Sequence, residues 1–227
     1  MTALNISFHF IPGPSLASDS CQAQEAAELL QLCFPNFEGL AVENTLLEGI
    51  GFHDLASTTW IIARDDASED SSIVGMIVAV VYHNGLYLQN FCVAPKNRGR
   101  GLGLDLLEVA GQLAVKVGRN LLIGNASTED RHIIDYYSSL GAQITRTGQG
   151  GQSSDNKLSS VRFVREIPCA PVAVVDFFEN LREKRRRVRR GRRVGRLAFG
   201  MIAMVAISAA AALIGRKRDP IREAQHG

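Results

Sequence analysis

Short runs in which apolar and polar residues alternate, or that are wholly apolar, predict β-strands along most of the chain. Ile6, Phe8 and Phe10 alternate with polar residues and predict a first strand. Apolar runs bounded by turn residues predict further strands over residues 60–63, 73–82, 86–93, 121–126, 143–146 and 161–167. Short polar turns separate the first three of these runs, which favours an antiparallel meander.

Apolar residues at helical spacing predict helices between these strands. The predicted helices cover residues 18–32, 103–117 and 133–140, with a short helix and a loop between 42 and 55. The helix of residues 103–117 lies between two predicted strands, and this order implies a parallel strand pair with a right-handed crossover. Residues 148–160 are polar and low in complexity, which predicts a surface loop.

Charge is distributed unevenly between two parts of the chain. Residues 1–181 contain 11 Lys and Arg and 20 Asp and Glu, a net charge of −9, whereas residues 182–227 contain 14 and 3, a net charge of +11. The first part is long enough to bury one sizeable core, and the second is too short for another. We therefore expect one globular domain, residues 1–168, followed by a specialised tail.

A charge-free apolar stretch runs from Leu197 to Gly215 and ends against a basic triplet. As a helix it would span about 28 Å, close to the roughly 30 Å thickness of a bilayer's hydrocarbon core. A buried or surface helix is the alternative, but a charge-free stretch fits neither amphipathic pattern. The sequence thus predicts a membrane-spanning helix over residues 197–215 and a short polar tail over residues 216–227.

The residues before this stretch are strongly basic, with ten Lys and Arg between Arg182 and Arg196. Positive charge accumulates on the cytoplasmic side of membrane spans. The sequence therefore predicts a tail-anchored, single-pass membrane protein with a cytoplasmic domain, in which residues 169–196 form a basic linker that binds anionic lipid. A nuclear localisation signal and a nucleic-acid patch are alternatives, but no aromatic residue is present in the run to stack on bases.

The four cysteines lie far apart, without a Cys-x-x-Cys pair and without a nearby histidine at metal-ligand spacing. This spacing is typical neither of a zinc site nor of a small disulfide framework. We therefore expect reduced thiols in a cytosolic domain, and no metal. The cysteines are Cys21, Cys33, Cys92 and Cys169.

A glycine-rich turn between a predicted strand and a predicted helix carries the most informative chemistry. Glycines at positions 99, 101 and 103 allow backbone amides to turn toward a ligand, and the helix N-terminus adds positive potential, so the turn is a candidate anion site. Arg98 and Arg100 strengthen it. The spacing does not fit a dinucleotide-binding motif, no acidic residue follows near position 125, and the Walker A pattern is absent.

The segment from Arg98 to Gly103, RGRGLG, resembles the Arg/Gln-x-x-Gly-x-Gly/Ala motif of the GCN5-related N-acetyltransferase (GNAT) family. Two further segments are similar to that family: Ile73-Val74-Gly75 in the third strand, and Tyr137-Ser138-Ser139-Leu140-Gly141 in the helix after the fifth strand. The order of predicted elements also agrees over residues 5–167. The resemblance implies an α/β acyl-CoA N-acyltransferase fold with a mixed sheet of six to seven strands and flanking helices.

The resemblance further implies that acetyl-CoA is the co-substrate and that strands four and five splay apart to admit it. The turn would bind the pyrophosphate through backbone amides, the fourth strand would pair with the pantetheine arm and present an oxyanion-type N–H to the thioester carbonyl, and Asn125 would face the pantetheine. The implied contacts are Phe91, Cys92, Val93, Arg98, Gly99, Arg100, Gly101, Leu102, Gly103 and Asn125.

Tyr137 matches the family's tyrosine that protonates the departing CoA thiolate. A packed aromatic without a catalytic role, or Tyr136 as the acid, are the alternatives. Many members also carry a strand-four Glu as base, whereas this chain has Gln89 and Asn90 there. The base could be solvent or one of four other residues, and Asp130 replaces an Asn that members often carry. The candidate bases are His83, Glu43, Glu48 and His53.

The sequence therefore predicts a membrane-tethered N-acetyltransferase in which a neutral amine attacks acetyl-CoA directly in a ternary complex. The acceptor would be an amine of a small molecule, a peptide or a protein, and an acidic domain would favour a cationic one. The alternative is a non-catalytic acyl-CoA-binding or scaffolding module of the same fold. The missing strand-four Glu is the main support for that alternative.

Overall fold

A computed structural model of the chain describes residues 5–34, 58–67, 71–128, 130–147 and 160–188. The chain divides into two compact units, Met1–Asn180 and Leu181–Gly227. Of the second unit only residues 181–188 are described, and they are helical. The candidate site lies in the first unit.

Seven strands of the described residues form one sheet in the order β1-β2-β3-β4-β5-β7-β6. Neighbouring strands are antiparallel except β4 and β5, which are parallel. The predicted mixed sheet, the meander and the parallel pair are therefore confirmed. The strands are β1 (Ile6–Pro12), β2 (Thr58–Asp65), β3 (Ile73–Tyr82), β4 (Gly85–Val93), β5 (Leu121–Ser127), β6 (Gln143–Thr147) and β7 (Ser160–Glu166).

Helices cover both faces of this sheet. They are α1 (Gly13–Ser18), α2 (Ser20–Cys33), α3 (Leu102–Lys116) and α4 (Arg131–Ser139). The sequence pattern predicted α2, as a helix over residues 18–32, but not the short helix α1 before it. Asp19 separates the two helices. Its extended backbone ends α1, and its carboxylate caps α2 by accepting a hydrogen bond from the Gln22 backbone N–H at 3.1 Å.

The core has two layers because side chains of a strand alternate between the faces of the sheet. On one face, Trp60, Ile62 and Met76 form a fully buried cluster with α2. On the other face α3 crosses β3 at Gly75, where a Cβ would come within 2.9 Å of the Leu106 side chain. Gly75 therefore allows α3 to lie close against the strands that carry the candidate site.

Residues 171–180 are helical and pack against α3 within the first unit. Val174 and Phe178 are buried, and a Cβ on Gly111 of α3 would lie 3.1 Å from each side chain. The sequence pattern placed the end of the domain at residue 168. The compact unit continues to Asn180.

Three predicted segments lie outside the described residues: the helix and loop of residues 42–55, almost all of the polar loop of residues 148–160, and the membrane helix of residues 197–215. Within the part of the chain that the structure describes, no helix combines the length and the apolar character needed to cross a bilayer. The predicted membrane span therefore stays a prediction.

Candidate active site

The parallel strands β4 and β5 pair over only part of their length. Leu86, Tyr87 and Leu88 of β4 are paired with residues 122–124 of β5, and no pairing continues toward the carboxyl ends of the strands. Residues 89–93 and 125–127 therefore form the two walls of an opening, called the wedge below. The expectation that strands four and five splay apart is confirmed.

A β-bulge in β4 produces the wedge. Met76 of β3 is paired with Cys92, and Val78 is paired with Gln89, so one residue of β3 faces two residues of β4. Asn90, within the bulge, has a φ of 46° in the left-handed region. A bulge bends its strand and increases the local twist, which directs the second half of β4 away from β5.

The second half of β4 keeps its pairing with β3 but presents its other edge to the wedge. An extended ligand could pair with such an edge as an added strand would. The Val93 carbonyl has partners at the end of this edge, because it accepts a hydrogen bond from Arg98 Nε at 2.9 Å and from Cys33 Sγ at 3.5 Å. The predicted pantetheine contacts at Phe91, Cys92 and Val93 thus line one wall of the wedge.

The turn after β4 is held open by two glycines in the left-handed region. Gly99 has a φ of 77° and Gly101 a φ of 105°, and a Cβ at either position would have no atom within 4 Å. Gly103 differs, because its φ is not in that region and a Cβ there would lie 3.4 Å from Phe91 and Tyr136 atoms. The three glycines of the motif are therefore not equivalent.

The N-terminus of α3 follows directly on this turn. Gly101 is its N-cap and makes no side-chain capping bond, and the Gly101 carbonyl accepts from the backbone N–H groups of Leu104 and Asp105. The amides of Leu102 and Gly103 precede those first intrahelical donors, where helices attract anions. Open glycine backbone next to a helix N-terminus fits a pyrophosphate.

Two arginines and one asparagine complete the turn. Arg98 and Arg100 are exposed, so their charges remain accessible to an anion. Asn97 is 3% exposed, and its side-chain Oδ1 has no hydrogen-bond partner among the described residues. Sequence reasoning missed Asn97, because a polar residue between Lys96 and Arg98 in a turn gives no signal of burial.

Tyr137 of α4 lies beside the wedge, against Phe91 of one wall and Phe163 of β7. Its ring stacks on Phe163 of β7, with centroids 3.6 Å apart and planes at 14°, and is 6.5 Å from the Phe91 ring in an edge arrangement. Phe163 lies over Gly124 of β5, where a Cβ would approach the Phe163 ring to 2.2 Å. Burial raises the pKa of the Tyr137 phenol well above its usual value, so the group keeps its proton throughout the neutral range.

Tyr136, the residue before Tyr137, packs edge-on against the Tyr137 ring. Its ring centroid is 5.3 Å from that of Tyr137. The Tyr136 hydroxyl lies 3.4 Å from the position of a Cβ on Gly103, so this side chain points to the start of α3. Both tyrosines that the sequence singled out therefore lie beside the wedge, with Tyr136 nearer to the turn.

Asn125 lies on the opposite wall of the wedge. It is exposed and follows Gly124, the last residue of β5 that is paired with β4. Because side chains alternate along a strand, Asn125 faces away from Phe163, beside its cross-strand partner Arg162. The structure therefore brings the predicted contacts together around one opening, although Asn125 faces the sheet surface opposite to Tyr137.

The candidate bases are distributed differently. His83 is exposed in the β3–β4 turn, roughly 20 Å along β4 from the bulge at 3.3 Å per residue. Gln89 precedes the bulge, and its Oε1 is buried without a hydrogen-bond partner among the described residues. The other candidates, Glu43, Glu48 and His53, lie outside the described residues.

Two further predicted features can be located. Asp130 is the N-cap of α4, where its backbone carbonyl accepts hydrogen bonds from the Ile133 and Ile134 amides and its side chain makes no capping bond. The described residues contain no group of three His, Cys, Asp or Glu side chains that could hold a metal ion.

Comparison with known proteins agrees with this geometry. Residues 56–141 match the model of the Acetyltransferase (GNAT) domain. The ribosomal-protein-S18-alanine N-acetyltransferase from Escherichia coli is similar in structure, with a TM-score of 0.53 and 17% identity over 73% of this chain and 96% of that one.

Two other solved structures are similar to a comparable degree. A GNAT-family acetyltransferase from Staphylococcus aureus Mu50 has a TM-score of 0.52 and 16% identity, over 70% of this chain and 99% of that one. Aminoglycoside 6'-acetyltransferase type Ii has a TM-score of 0.52 and 15% identity, over 71% and 98%. At these identities the likeness establishes the fold, and residues 56–141 are in addition similar to the GNAT domain. These findings together support an acyltransferase with acetyl-CoA as its co-substrate.

Proposed function

We propose that this protein transfers the acetyl group of acetyl-CoA to a primary amine by direct attack in a ternary complex. The observation that carries the proposal is the continuity of the site. The glycine turn, the edge of β4 beyond its pairing with β5, and the buried Tyr137 surround one opening. A pyrophosphate at the turn would direct the pantetheine along residues 91–93 toward the bulge.

In this proposal the backbone binds the pyrophosphate and polarises the thioester carbonyl. The amides of residues 99–103 hold the pyrophosphate, with Arg98 and Arg100 adding charge. A backbone N–H in the second half of β4 donates to the thioester carbonyl. That donor stabilises the oxyanion as the amine attacks, which is the type of interaction that removes the most from an acyl-transfer barrier.

Tyr137 acts on the leaving group. A thiol has a pKa near 8.5, below that of the buried phenol, so complete proton transfer to the CoA thiolate is uphill. A hydrogen bond from the phenol still stabilises the thiolate as the C–S bond breaks. Tyr137 therefore serves as a hydrogen-bond donor to the leaving sulfur, and solvent supplies the proton when CoA departs.

The acceptor amine enters from the sheet surface that carries Gln89 and Asn125. Gln89 and Asn90 stand at the bulge in place of a carboxylate, so in this proposal the amine loses its proton to solvent or to a residue outside the described part of the chain. The Gln89 amide oxygen can accept a hydrogen bond from the amine. The net charge of −9 over residues 1–181 favours cationic acceptors, such as polyamines or basic peptides.

Membrane tethering is the second part of the proposal. The support is the charge-free stretch of residues 197–215 together with the ten Lys and Arg between Arg182 and Arg196. We propose a single-pass anchor with the acetyltransferase domain on the cytoplasmic side. Imaging a fluorescent fusion with and without residues 197–227 tests this, and an unchanged diffuse distribution of both forms would reject the anchor.

The activity is tested by incubating the full chain with acetyl-CoA and a panel of amines, while free CoA is followed with a thiol reagent. The panel contains a polyamine, a basic peptide and a peptide with a free N-terminal amine. We expect CoA release that depends on one of these amines. The alternative, a non-catalytic acyl-CoA-binding module, is favoured by the absence of Glu from the sequence of β4, and acetyl-CoA binding without amine-dependent release would establish it.

A further inference from the structure

Cys33 and Cys92 lie together beside the second half of β4. Cys92 is buried in the core cluster between the sheet and α2, and Cys33, the last residue of α2, packs partly buried against that cluster. The two thiols are within hydrogen-bonding reach of each other. Cys33 Sγ also contacts the Val93 carbonyl at 3.5 Å, so the pair adjoins the residue that leads into the phosphate turn.

The surroundings of Cys33 favour its thiolate. The Cys92 thiol and the Arg98 guanidinium both hydrogen-bond to it, and they lower the pKa of the Cys33 thiol to about 6 against the opposing effect of burial. Arg98 is fixed nearby because its Nε donates to the same Val93 carbonyl at 2.9 Å. A partly exposed thiolate next to a cation is the environment typical of reactive cysteines.

We propose that Cys33 and Cys92 form a peroxide-sensitive dithiol, in which Cys33 reacts first and Cys92 then closes a disulfide between α2 and β4. The Cys33 thiolate attacks the outer oxygen of a hydroperoxide, the O–O bond breaks, and the released alkoxide takes a proton from water. The Cys92 sulfur then attacks the Cys33 sulfenic acid, and the hydroxyl group leaves as water with the Cys92 proton. The two thiols lose two electrons in total, and the hydroperoxide gains them.

The order of these steps follows from the two environments. Its hydrogen bond with Cys33 and its burial raise the pKa of Cys92 well above its usual value, so Cys92 is protonated and unreactive in the reduced pair. Conversion of the Cys33 thiolate to a neutral sulfenic acid removes the neighbouring negative charge. Cys92 then ionises more readily and can act as the resolving thiol.

The disulfide would alter the acetyl-CoA site. It withdraws the Cys33 thiol from the Val93 carbonyl and joins α2 to β4 next to Arg98, at the start of the phosphate turn. We expect oxidised protein to bind acetyl-CoA several-fold more weakly. This consequence rests on the proposed acetyl-CoA site, whereas the thiol chemistry does not.

The chemistry is tested on the reduced full chain with tert-butyl hydroperoxide, followed by alkylation of remaining thiols and peptide mapping. We expect a Cys33–Cys92 disulfide, with Cys21 and Cys169 alkylated. Cys21→Ser, at an exposed position near the other end of α2, is the matched control and should leave this result unchanged. Alkylation of all four thiols after peroxide, or a disulfide between another pair, would overturn the proposal.

Two variants separate the steps. Cys33→Ser should abolish the disulfide, and Cys92→Ala should leave Cys33 as a sulfenic acid that a dimedone probe traps. Should Cys92→Ala fold poorly, the wild-type peptide map still decides the question. A Cys92 that is oxidised before Cys33 would contradict the order.

Titration of oxidised and reduced protein with acetyl-CoA tests the consequence. We expect the affinity to fall several-fold on oxidation and to return with a thiol reductant. An unchanged affinity in protein whose disulfide has been mapped would remove the regulatory consequence. Reduced protein that does not bind acetyl-CoA would instead count against the proposed function, so the two failures are distinguishable.

Discussion

The two halves of β4 have different roles, although they belong to one strand. Residues 86–88 are paired on both edges, and Leu86 and Leu88 are buried in the core. Residues 89, 92 and 93 are paired with β3 and not with β5, and residues 89–93 border the wedge. The difference arises from the single extra residue at the bulge near Asn90. A fixed first half thus positions a second half whose other edge is not paired with β5, and this edge faces the wedge.

The largest expected effect comes from Tyr137, which packs beside the second half of β4 against Phe91 and Phe163. In Tyr137→Phe the ring and its stacking on Phe163 remain, while the hydrogen bond to the leaving thiolate is lost. A hydrogen bond to a charged group contributes about 1.5–3 kcal/mol, so kcat should fall about 10- to 150-fold. Steady-state CoA release should show this loss, with the KM for acetyl-CoA little changed.

Tyr136→Phe is the matched control, because Tyr136 lies next to Tyr137 but points to the start of α3. We expect it to keep most of the kcat. A large loss in Tyr136→Phe with full turnover in Tyr137→Phe would assign the donor to Tyr136 instead.

A second prediction concerns Gly124, in the part of β5 that is paired with β4. A Cβ there would come within 2.2 Å of the Phe163 ring, which itself stacks on Tyr137. Overpacking of a core costs about 1–3 kcal/mol, so Gly124→Ala should lower the free energy of unfolding by that amount. Thermal or urea unfolding measures it.

The proposed clash at Gly124 can be isolated with a double-mutant cycle. Phe163→Leu removes the ring, so Gly124→Ala should cost much less in that background than in the wild type. Equal costs in both backgrounds would show that the ring is not the obstacle.

The sequence predicted the strands and helices of the described sheet because each has a clear period or a clear boundary. Gly118 and Gly141, both with positive φ, end helices near the predicted positions. The helix α1 was not predicted, because its six residues are too few to show a helical period. The Ser/Asp start of the predicted helix of residues 18–32 agrees with Asp19 as the N-cap of α2.

The candidate site likewise contains features that the sequence could predict and features that it could not. The phosphate turn is local, so its residues are adjacent in sequence and could be predicted as a group. The bulge at Asn90, the contact between Phe163 and Gly124, and the proximity of Cys33 to Cys92 depend on residues far apart in the chain. No sequence period encodes such contacts, and they became apparent only once the strands were paired.

A third prediction concerns the glycine turn that follows the second half of β4. Gly101→Ala places a side chain at a φ of 105°, which costs roughly 1–2 kcal/mol for left-handed backbone. A turn that relaxes to avoid this strain would no longer present its amides, so acetyl-CoA affinity should fall about 5- to 30-fold. Titration with acetyl-CoA measures the change.

Gly118→Ala is the control for that change. Gly118 has a φ of 71°, and a Cβ there also has no atom within 4 Å, but it lies at the other end of α3. We expect a similar loss of stability with unchanged acetyl-CoA affinity. Equal losses of affinity in both variants would mean that helix stability, not the turn, controls binding.

The smallest expected effect is on the pH dependence of Cys33 alkylation, which reports on the end of the second half of β4. Because the folded pKa is lowered to about 6, the thiolate is present above that pH and is lost as the pH falls through it. The rate of Cys33 alkylation should therefore rise to half its maximum near pH 6 and level off, whereas an ordinary thiol would do so about pH 8.5. Mass spectrometry after brief iodoacetamide labelling, with Cys21 as the internal reference, measures the profile.

Arg98→Gln should move the midpoint upward because it removes the cation beside the thiolate, and Arg100→Gln should not. A wild-type midpoint near that of an ordinary thiol would show that Arg98 and Cys92 do not stabilise the thiolate at this end of β4.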